Sequence, residues 1–411
     1  MPHLSPSFLL LISYICLGPL TWAAYGHLMR LGRNKMRLMR RPPDIVPNPP
    51  PSATIVIPAK DEGERIRICL ESCLNQDYPN FDVLTIDDRS TDQTGAVMDD
   101  IAAKDPRLTV IHKTEPPPLG WTGKNHGLWT GQDRARGEWL VFVDSDVVLE
   151  SDALSAAMSV VVRKQFDMLS LLPRVESHSI WESMLVPLAG TAASTMYLVA
   201  LTNNNQLPKC AFANGQFLMI SRRAYDAIGG HETVRDRFCE DIAIAKLLKA
   251  GGLRPRISWG NDFAAVRMYS SLGAIYRGWS RIYYAASAGS PWRALAAALF
   301  LIVCSLTAYP ALAWGAWLTV HIDWQGPAWL IAGGFHLAMM TFCLMLAYRW
   351  SGNPRRNAFL FPIAGPMLLS ILVIALKMCI TKKVEWRGTA YSHKMAATLA
   401  AAQSVPGAES P

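Results

Sequence analysis

The chain has 411 residues, of which 51% are hydrophobic and only 18% charged, and its 40 Lys and Arg against 32 Asp and Glu give a formal net charge of +8. Soluble globular domains carry roughly a quarter charged residues, so this composition excludes intrinsic disorder and argues against a wholly soluble enzyme. It implies a globular domain joined to membrane segments. Nucleic acid is not the expected partner of the positive charge. Arg30, Arg33, Lys35, Arg37, Arg40 and Arg41 crowd beside an apolar run, the juxtamembrane pattern that anionic headgroups attract, and neither zinc-finger spacing nor an RNA-binding aromatic motif accompanies them.

Residues 8–28 are apolar and long enough to cross a bilayer, which takes about 20 helical residues. Without a basic n-region or a small-residue cleavage site, the run reads as an anchor rather than a signal peptide. The basic stretch behind it places its C-terminal end in the cytosol. The anchor (1–30) is followed by a basic, proline-rich linker (31–52), stiffened by Pro42, Pro43, Pro47 and Pro49 to Pro51. The eight cysteines are scattered, with neither metal-ligand clustering nor a disulfide framework, which suits a reducing cytosolic setting.

From residue 53 the pattern changes. Short β-rich runs at 53–57, 81–86, 107–112, 138–143 and 166–172 alternate with helical patterns; after the first, Ile66, Cys69, Leu70, Cys73 and Leu74 share one apolar face. Repeats of this kind predict an α/β domain over 53–290 with an open, mostly parallel sheet, whose ligands bind at the carboxyl ends of the strands. Apolar runs return at 294–320, 327–348 and 358–380 within a membrane region spanning 291–381, ahead of a basic tail (382–411). Four full spans would put that tail opposite the globular domain, whereas its Lys382, Lys383, Arg387 and Lys394 favour the cytosol. The expected solution is a re-entrant segment at 358–380, broken by Pro362, Gly365 and Pro366. A further apolar run, 184–201, carries Pro187 and Gly190 and reads as an interfacial helix.

The strand ends carry the chemistry. Pro58-Ala59-Lys60-Asp61-Glu62 follows the first strand, Asp87-Asp88-Arg89-Ser90-Thr91-Asp92 the second, and Asp144-Ser145-Asp146 the fourth. Gathered on one sheet edge, these carboxylates repel unless cations or hydrogen-bond donors sit among them. Mg2+ or Mn2+ shared with a diphosphate suits such oxygen ligands. Singly, Asp61, Glu62, Ser90 or Thr91 would serve as helix caps.

Together these motifs resemble family 2 glycosyltransferases of the GT-A fold over roughly 53–290. The resemblance implies a UDP-sugar donor, contacted by Pro58, Ala59, Asp61, Glu62 and Asp88. It also implies a ribose contact at Asp144 and Ser145, and a metal held by Asp144 and Asp146. Asp61 stands where the family more often has Asn. Gly120-Trp121-Thr122-Gly123-Lys124 narrows the resemblance to the hopanoid-associated and carotenoid-acid branch, with Lys124 directed to phosphate oxygens. Phe238-Cys239-Glu240-Asp241 is similar to the family's Glu-Asp motif, making Asp241 the general base of an inverting reaction; the alternative is a plain helix start. Tyr276-Arg277-Gly278-Trp279 resembles in part an Arg-Trp element of related synthases. Arg277 would meet the diphosphate and Trp279 the acceptor, or both would anchor at the membrane interface. The tail Trp386-Arg387-Gly388-Thr389-Ala390-Tyr391 resembles the ending of the same branch, with Thr389 replacing a basic residue.

The resemblance thus implies a multi-pass protein of the inner cell membrane, its catalytic domain cytosolic, that transfers a sugar from a nucleotide-sugar to a lipid acceptor such as a hopanoid or carotenoid. A processive polysaccharide synthase would call for more spans and an intact Arg-Trp element. An inactive membrane scaffold would not need Asp88, Asp144, Asp146 and Asp241 all present.

Overall fold

In the computed structural model, residues 6–41, 48–63, 65–321, 325–382, 384–386 and 389–391 are described. They divide into two compact units. One comprises the described parts of Arg33–Glu176 and Tyr197–Met268, the other those of Met1–Gly32, Ser177–Met196 and Tyr269–Pro411.

The first unit is built on eight strands: β1 (Ala53–Ala59), β2 (Phe81–Asp88), β3 (Leu108–Lys113), β4 (Trp139–Val143), β5 (Val147–Leu149), β6 (Met168–Val175), β7 (Phe217–Ser221) and β8 (Pro255–Val266). Their order in the sheet is β3-β2-β1-β4-β7-β6-β8-β5. The expected parallel pattern holds among β3, β2, β1 and β4. Beyond β4 the sheet is mixed, with β7 antiparallel to β4 and β6, β5 antiparallel to β8, and β6 parallel to β8.

β4 and β5 are joined by Asp144, Ser145 and Asp146 alone, yet they lie four positions apart in the sheet. Four strand spacings of about 4.8 Å would need roughly 19 Å. The four Cα steps from Val143 to Val147 reach at most about 14 Å. The sheet therefore curls over, and the acidic tripeptide sits where it closes.

Both faces of the sheet are covered, so β1 is buried along nearly its whole length and apolar except for Thr54 rather than alternating. Ile55 and Ile57 join the cluster that contains Ile66, Leu70 and Met98, and Val56 joins Leu84, Ile86, Leu128 and Leu140 on the other side. The face expected on the first helix is the buried one: Ile66, Cys69, Leu70, Cys73 and Leu74 of Arg65–Leu74 are all buried. On the opposite side, helix Gly123–Gln132 lies unusually close to the strands. A Cβ on Gly131 would meet Val56 and Ile86 at 2.9 Å, and one on Gly127 would touch Pro58 at 3.5 Å.

The sheet unit begins before residue 53 and ends before residue 290. Trp259 donates its backbone N–H to the Met36 carbonyl at 2.8 Å, and Ser258 donates its hydroxyl to the same oxygen at 3.0 Å, tying residues 33–41 to β8. Helix Leu272–Ala286 belongs to the helical unit instead. Its Tyr276 hydroxyl meets Ser370 Oγ at 2.8 Å, and its Tyr283 hydroxyl donates to the Ala189 carbonyl at 2.8 Å.

In the helical unit, Pro6–Leu17 and Pro19–Lys35 form one 30-residue apolar stretch. At Gly18, between them, a Cβ would come within 2.7 Å of the His336 ring, so only glycine lets the chain pass. His336 is fully buried, with Nδ1 2.9 Å from the Tyr14 hydroxyl and Nε2 3.0 Å from the Cys304 carbonyl. Two further helical stretches, Gln325–Trp350 and Arg355–Thr381, are long and apolar enough to cross a membrane.

Two expectations change. Residues 358–380 are not a broken segment: Phe361–Thr381 is a continuous helix. Pro362 falls at its start, where no intrahelical N–H bond is lost. Gly365 packs against Leu306 and Phe361, so the small residues mark close packing. The interruption lies in the preceding run. There Pro291–Leu301 passes through a π-turn at Ile302–Leu306 into Ala308–His321, because Pro310 cannot donate to the carbonyl four residues earlier. A 115° bend also separates Leu272–Ala286 from Pro291–Leu306, at the left-handed residues Ala288 and Gly289. Likewise, the run expected to lie at an interface forms helix Ile180–Met196, packed inside the unit; its Met184 carbonyl accepts from the Tyr348 hydroxyl at 2.5 Å. The tail contributes a two-stranded antiparallel ribbon, Val384–Trp386 with Thr389–Tyr391; Arg387, Gly388 and Lys394 lie outside the described residues.

Candidate active site

The loops after β1 and β2 are laced together. Asp61, at φ 50°, accepts from the Thr91 backbone N–H at 2.8 Å and the Thr91 hydroxyl at 3.2 Å, while its own N–H donates to Ser90 Oγ at 3.0 Å. The N–H groups of Glu62 and Gly63 both donate to Thr94 Oγ1, which in turn donates to Asp92. Pro58 and Ala59 complete β1, with Pro58 against Gly127. Asp61 thus works as a clasp between the two strand-end loops.

Asp88 closes β2 and is buried, with Arg89 Nε at 3.1 Å and Lys113 Nζ at 3.2 Å. Burial alone would raise its pKa, but the two cations outweigh it and hold the carboxyl below the usual range. Gly123 makes room for it, since a Cβ there would meet Asp88 Oδ2 at 2.9 Å. Beside Asp88, Asp87 accepts from the Ser90 N–H and faces His112 Nδ1 at 3.2 Å, and the other ring nitrogen of His112 meets Asp99 at 2.9 Å.

At the curl of the sheet, Asp144 pairs with Lys124 at 2.7 Å, Ser145 is buried, and Asp146 is pushed up to about 7 by burial and by the charges of Asp144 and Glu62. Asp144 and Asp146 thus place two acidic side chains close in sequence at the curl. Among the described residues no three acidic, His or Cys side chains converge as a closed metal site. Asp144 and Asp146 are oxygen donors of the kind a hard divalent cation takes.

Lys124 also reaches Glu240 Oε1 at 2.8 Å. Burial would lower its pKa, but Asp144, Glu240 and Asp241 raise it well above the usual lysine range. Asp241, in the first turn of helix Glu240–Ala250, accepts from the Gly215 N–H at 2.7 Å and from its neighbour Ile242 N–H at 2.7 Å. Burial and the adjacent Glu240 push its carboxyl up to about 7. A small recess of about 10 Å³ lies among Lys124, Asp144, Gly215, His231, Glu240 and Asp241.

Ten of the sequence-derived site residues lie in the sheet unit: Pro58, Ala59, Asp61, Glu62, Asp88, Asp144, Ser145 and Asp146 at or beside strand ends, and Lys124 and Asp241 in the first turns of helices. Arg277 and Trp279 lie in the helical unit. There Trp279 is buried, 3.7 Å from the Cβ position of Gly190, and Arg277 is exposed, folded over Gly273. Lys113 and Gly215 were not singled out from the sequence as site residues. Neither was the ring cluster Trp121, His126 and Trp129, with centroids 5.2–6.1 Å apart beside the helix N-terminus capped by Thr122.

A curled mixed sheet with acidic strand ends along one edge is the GT-A arrangement of a glycosyltransferase. More particularly, residues 54–229 match the family model described as Glycosyl transferase family 2, and the chain is a glycosyltransferase with a family 2 domain over that stretch. It is 26% identical over 283 residues to 4,4'-diaponeurosporenoate glycosyltransferase of Staphylococcus aureus strain MRSA252, covering 66% of this chain and 73% of that protein. The enzyme of the same name from strain RF122 / ET3-1 is 25% identical over 285 residues, covering 66% and 74%. Among solved structures, the mannosyltransferase PcManGT from Pyrobaculum calidifontis, in complex with GDP-Man and Mn2+, aligns over 80% of this chain and 97% of its own at 20% identity, with a TM-score of 0.45.

Proposed function

We propose that this glycosyltransferase is membrane-bound and inverting, and that it moves a sugar from a nucleotide-sugar, a UDP-sugar in our reading, onto a polyprenoid lipid at the cytosolic face of the inner membrane. The observation that carries the reading is the charge arrangement on one sheet edge: Asp88 neutralised by Arg89 and Lys113, and Asp144 and Glu240 bridged by Lys124. The relatives named for a carotenoid acid support a lipid acceptor, as do the apolar helices.

In this reading the clasped loops at Pro58–Glu62 and Asp88 bind the nucleoside, with Asp88 accepting from its donor groups. Asp144 and Ser145 face the ribose. Asp144 and Asp146 would hold Mg2+ or Mn2+, which when bound offsets the charge that builds on the leaving diphosphate. Lys124 gives its ammonium to the same phosphate oxygens. Asp241 accepts the proton of an acceptor hydroxyl as its oxygen attacks the anomeric carbon from the side opposite the diphosphate, which inverts the configuration there. An acceptor that presents a carboxylate arrives already ionised and needs no such base.

The direct test is UDP release by purified membranes with Mn2+ present or chelated, and with a polyprenoid acceptor added or withheld. Release that requires both supports the proposal. Release that persists with the metal chelated removes the metal from it, and release independent of any lipid removes the acceptor.

A further inference from the structure

Consecutive residues at the start of helix Gly123–Gln132 touch different parts of the candidate site. Gly123 makes room for Asp88, and Lys124 pairs with Asp144 and Glu240. Asn125, next in line, is fully buried, and its Nδ2 donates away from its own helix. The acceptors are the carbonyls of Val234 at 2.8 Å, Arg237 at 2.9 Å and Arg235 at 3.2 Å. Three carbonyl oxygens around one atom fix it as the NH2 end of the amide. Its two hydrogens serve the shorter contacts, and the longest is shared. The Thr122 backbone N–H binds the same turn, at the Arg235 carbonyl, at 2.9 Å. Asn125 does not serve its own helix, where alanine would be the better former. That helix is already capped by Thr122 Oγ1, which accepts from the Asn125 backbone N–H at 3.1 Å.

The turn held in this way, Val234 to Arg237, leads through Phe238 and Cys239 into helix Glu240–Ala250. Cys239 gives that helix no side-chain cap, so its entry is fixed from outside. The helix that carries Asn125 is itself seated on the sheet, through Gly127 against Pro58 and Gly131 against Val56 and Ile86. We propose that Asn125 is a positioning residue for sugar transfer. It ties the approach to Glu240 and Asp241 to the helix that carries Lys124, and thereby sets where the Asp241 carboxylate stands. The catalytic part of this role rests on Asp241 being the base, as proposed above; the tie itself does not. Misplacing a reacting group by about 1 Å can cost about a hundredfold in rate. Without the amide, Asp88 and Lys124 stay with the sheet while Asp241 drifts, so turnover should suffer and nucleotide binding should not.

The test uses the full-length protein in detergent micelles and the variant Asn125→Ala, alone and combined with Asp241→Asn. Asn125→Ser, which keeps one short donor, takes its place if the alanine variant does not fold, with a smaller loss in the same pattern. Amide hydrogen exchange, read by mass spectrometry, should speed up by about tenfold or more across residues 234–243 and stay unchanged in β1. The affinity for UDP should remain within about threefold, while turnover with a polyprenoid alcohol falls by about 30–100-fold. In the Asp241→Asn background the same substitution should cost no more than about threefold, because the group that it positions is gone. A residue that merely supports the fold would give the same loss in both backgrounds. Unchanged exchange at 234–243 overturns the tie. Equal losses in the two backgrounds overturn the positioning of Asp241, as does a fall in UDP affinity that matches the fall in turnover. A loss in Asp241→Asn with none in Asn125→Ala overturns the positioning and leaves the base standing. Near-normal turnover in Asp241→Asn alone overturns the base and with it the catalytic role of Asn125, and the exchange result still decides the tie.

Discussion

Lys124 Nζ lies 2.7 Å from Asp144 Oδ1 and so stands between the carboxylate at the curl of the sheet and the Glu240-Asp241 pair on a distant helix. One ammonium serves three acidic side chains, and removing it leaves them to repel one another in a partly dehydrated recess. Lys124→Met keeps the length of the side chain and removes the charge. Its thermal midpoint without metal should fall by several degrees, the shift expected of a loss of about 1–2 kcal/mol in a chain of this size. Mn2+ should restore part of that, and turnover should drop about a hundredfold or more. Differential scanning fluorimetry with and without Mn2+ checks the first part. An unchanged midpoint would mean that the three acids are relieved by some other group.

Asp146 offers a test of sign. Its folded-state pKa of about 7 lies above the ordinary carboxylate value, so the metal-free protein binds more protons folded than unfolded between about pH 4 and 7. Stability contributed by the neutral form is full at low pH and declines as pH rises through that window. Asp146→Asn should therefore be more stable than the wild type at pH 8 without metal, show a shallower pH slope (Asp241, also at about 7, keeps its share), and gain nothing from Mn2+. Unfolding midpoints from pH 5 to 8 with and without a chelator decide it.

Much of this candidate site is legible in the sequence, and the reason is local. Acidic turns after β1, β2 and β4 are contiguous motifs, and the apolar face of Arg65–Leu74 repeats at helical spacing. The contacts that organise the motifs are not local. Gly215 donates to Asp241 across 26 positions, and Glu240 meets Lys124 across more than a hundred. β7 is only five residues long, too short for periodicity to tell a strand from a buried helical turn. One available signal was passed over: Gly123, Gly127 and Gly131 recur every four residues. On a helix that makes one flat face, and it is the face that brings Lys124's helix down on β1 and β2. In the helical unit, Gly365, read as a break, proved to be a packing contact, while the interruptions at Ala288-Gly289 and Ile302–Leu306 were not read from the sequence.

His112 bridges two acids, and its pKa is raised, chiefly by Asp99 and also by Asp87 against a smaller opposing effect of burial. A raised histidine contributes stability that is complete below the unfolded value near 6.5 and is lost as pH rises through the higher folded value. His112→Gln should be less stable than the wild type at pH 5.5 and equal to it at pH 9. With 44% of the side chain exposed, solvent screening limits the effect to about 1 kcal/mol or less. Urea titrations at the two pH values would show it, and a larger deficit at pH 9 would refute the assignment.

The helical unit changes the membrane count in a testable way. If the interrupted element at 291–321 enters and leaves on one side, and the candidate spans Gln325–Trp350 and Arg355–Thr381 both cross, these two form a hairpin and the tail returns to the cytosol as its lysines favour. A cysteine at Ser392 should then resist an impermeant thiol reagent in intact cells, while one at Ser351, in the hairpin turn, should react. Arg349, Arg355 and Arg356 favour the opposite side for that turn, so the pair of sites is decisive. Labelling at 392 with protection at 351 would reverse the hairpin.

The sharpest test of the chemistry is at Asp241. As a general base it matters only for an acceptor that still carries its proton. Asp241→Asn retains the size of the side chain and an oxygen for the Gly215 N–H, so the recess should keep its shape. With a polyprenoid alcohol as acceptor, turnover should fall by about 10²–10⁴-fold, the usual worth of a positioned base. With the corresponding acid the nucleophile is ionised on arrival, and the loss should stay within about tenfold. UDP-sugar affinity should barely move in either case. The wild-type rate with the alcohol should also rise with pH through about 7, where burial and Glu240 place the Asp241 carboxyl, because only the ionised form accepts a proton. That limb should be absent with the acid. Assaying the two acceptors side by side against the variant and across pH separates this account from its rival, in which Asp241 merely starts a helix and holds Gly215. Asn caps helices about as well as Asp, so the rival expects little loss with either acceptor. An equal large loss with both, together with weakened donor affinity, would instead mean that the substitution has collapsed the recess around Lys124.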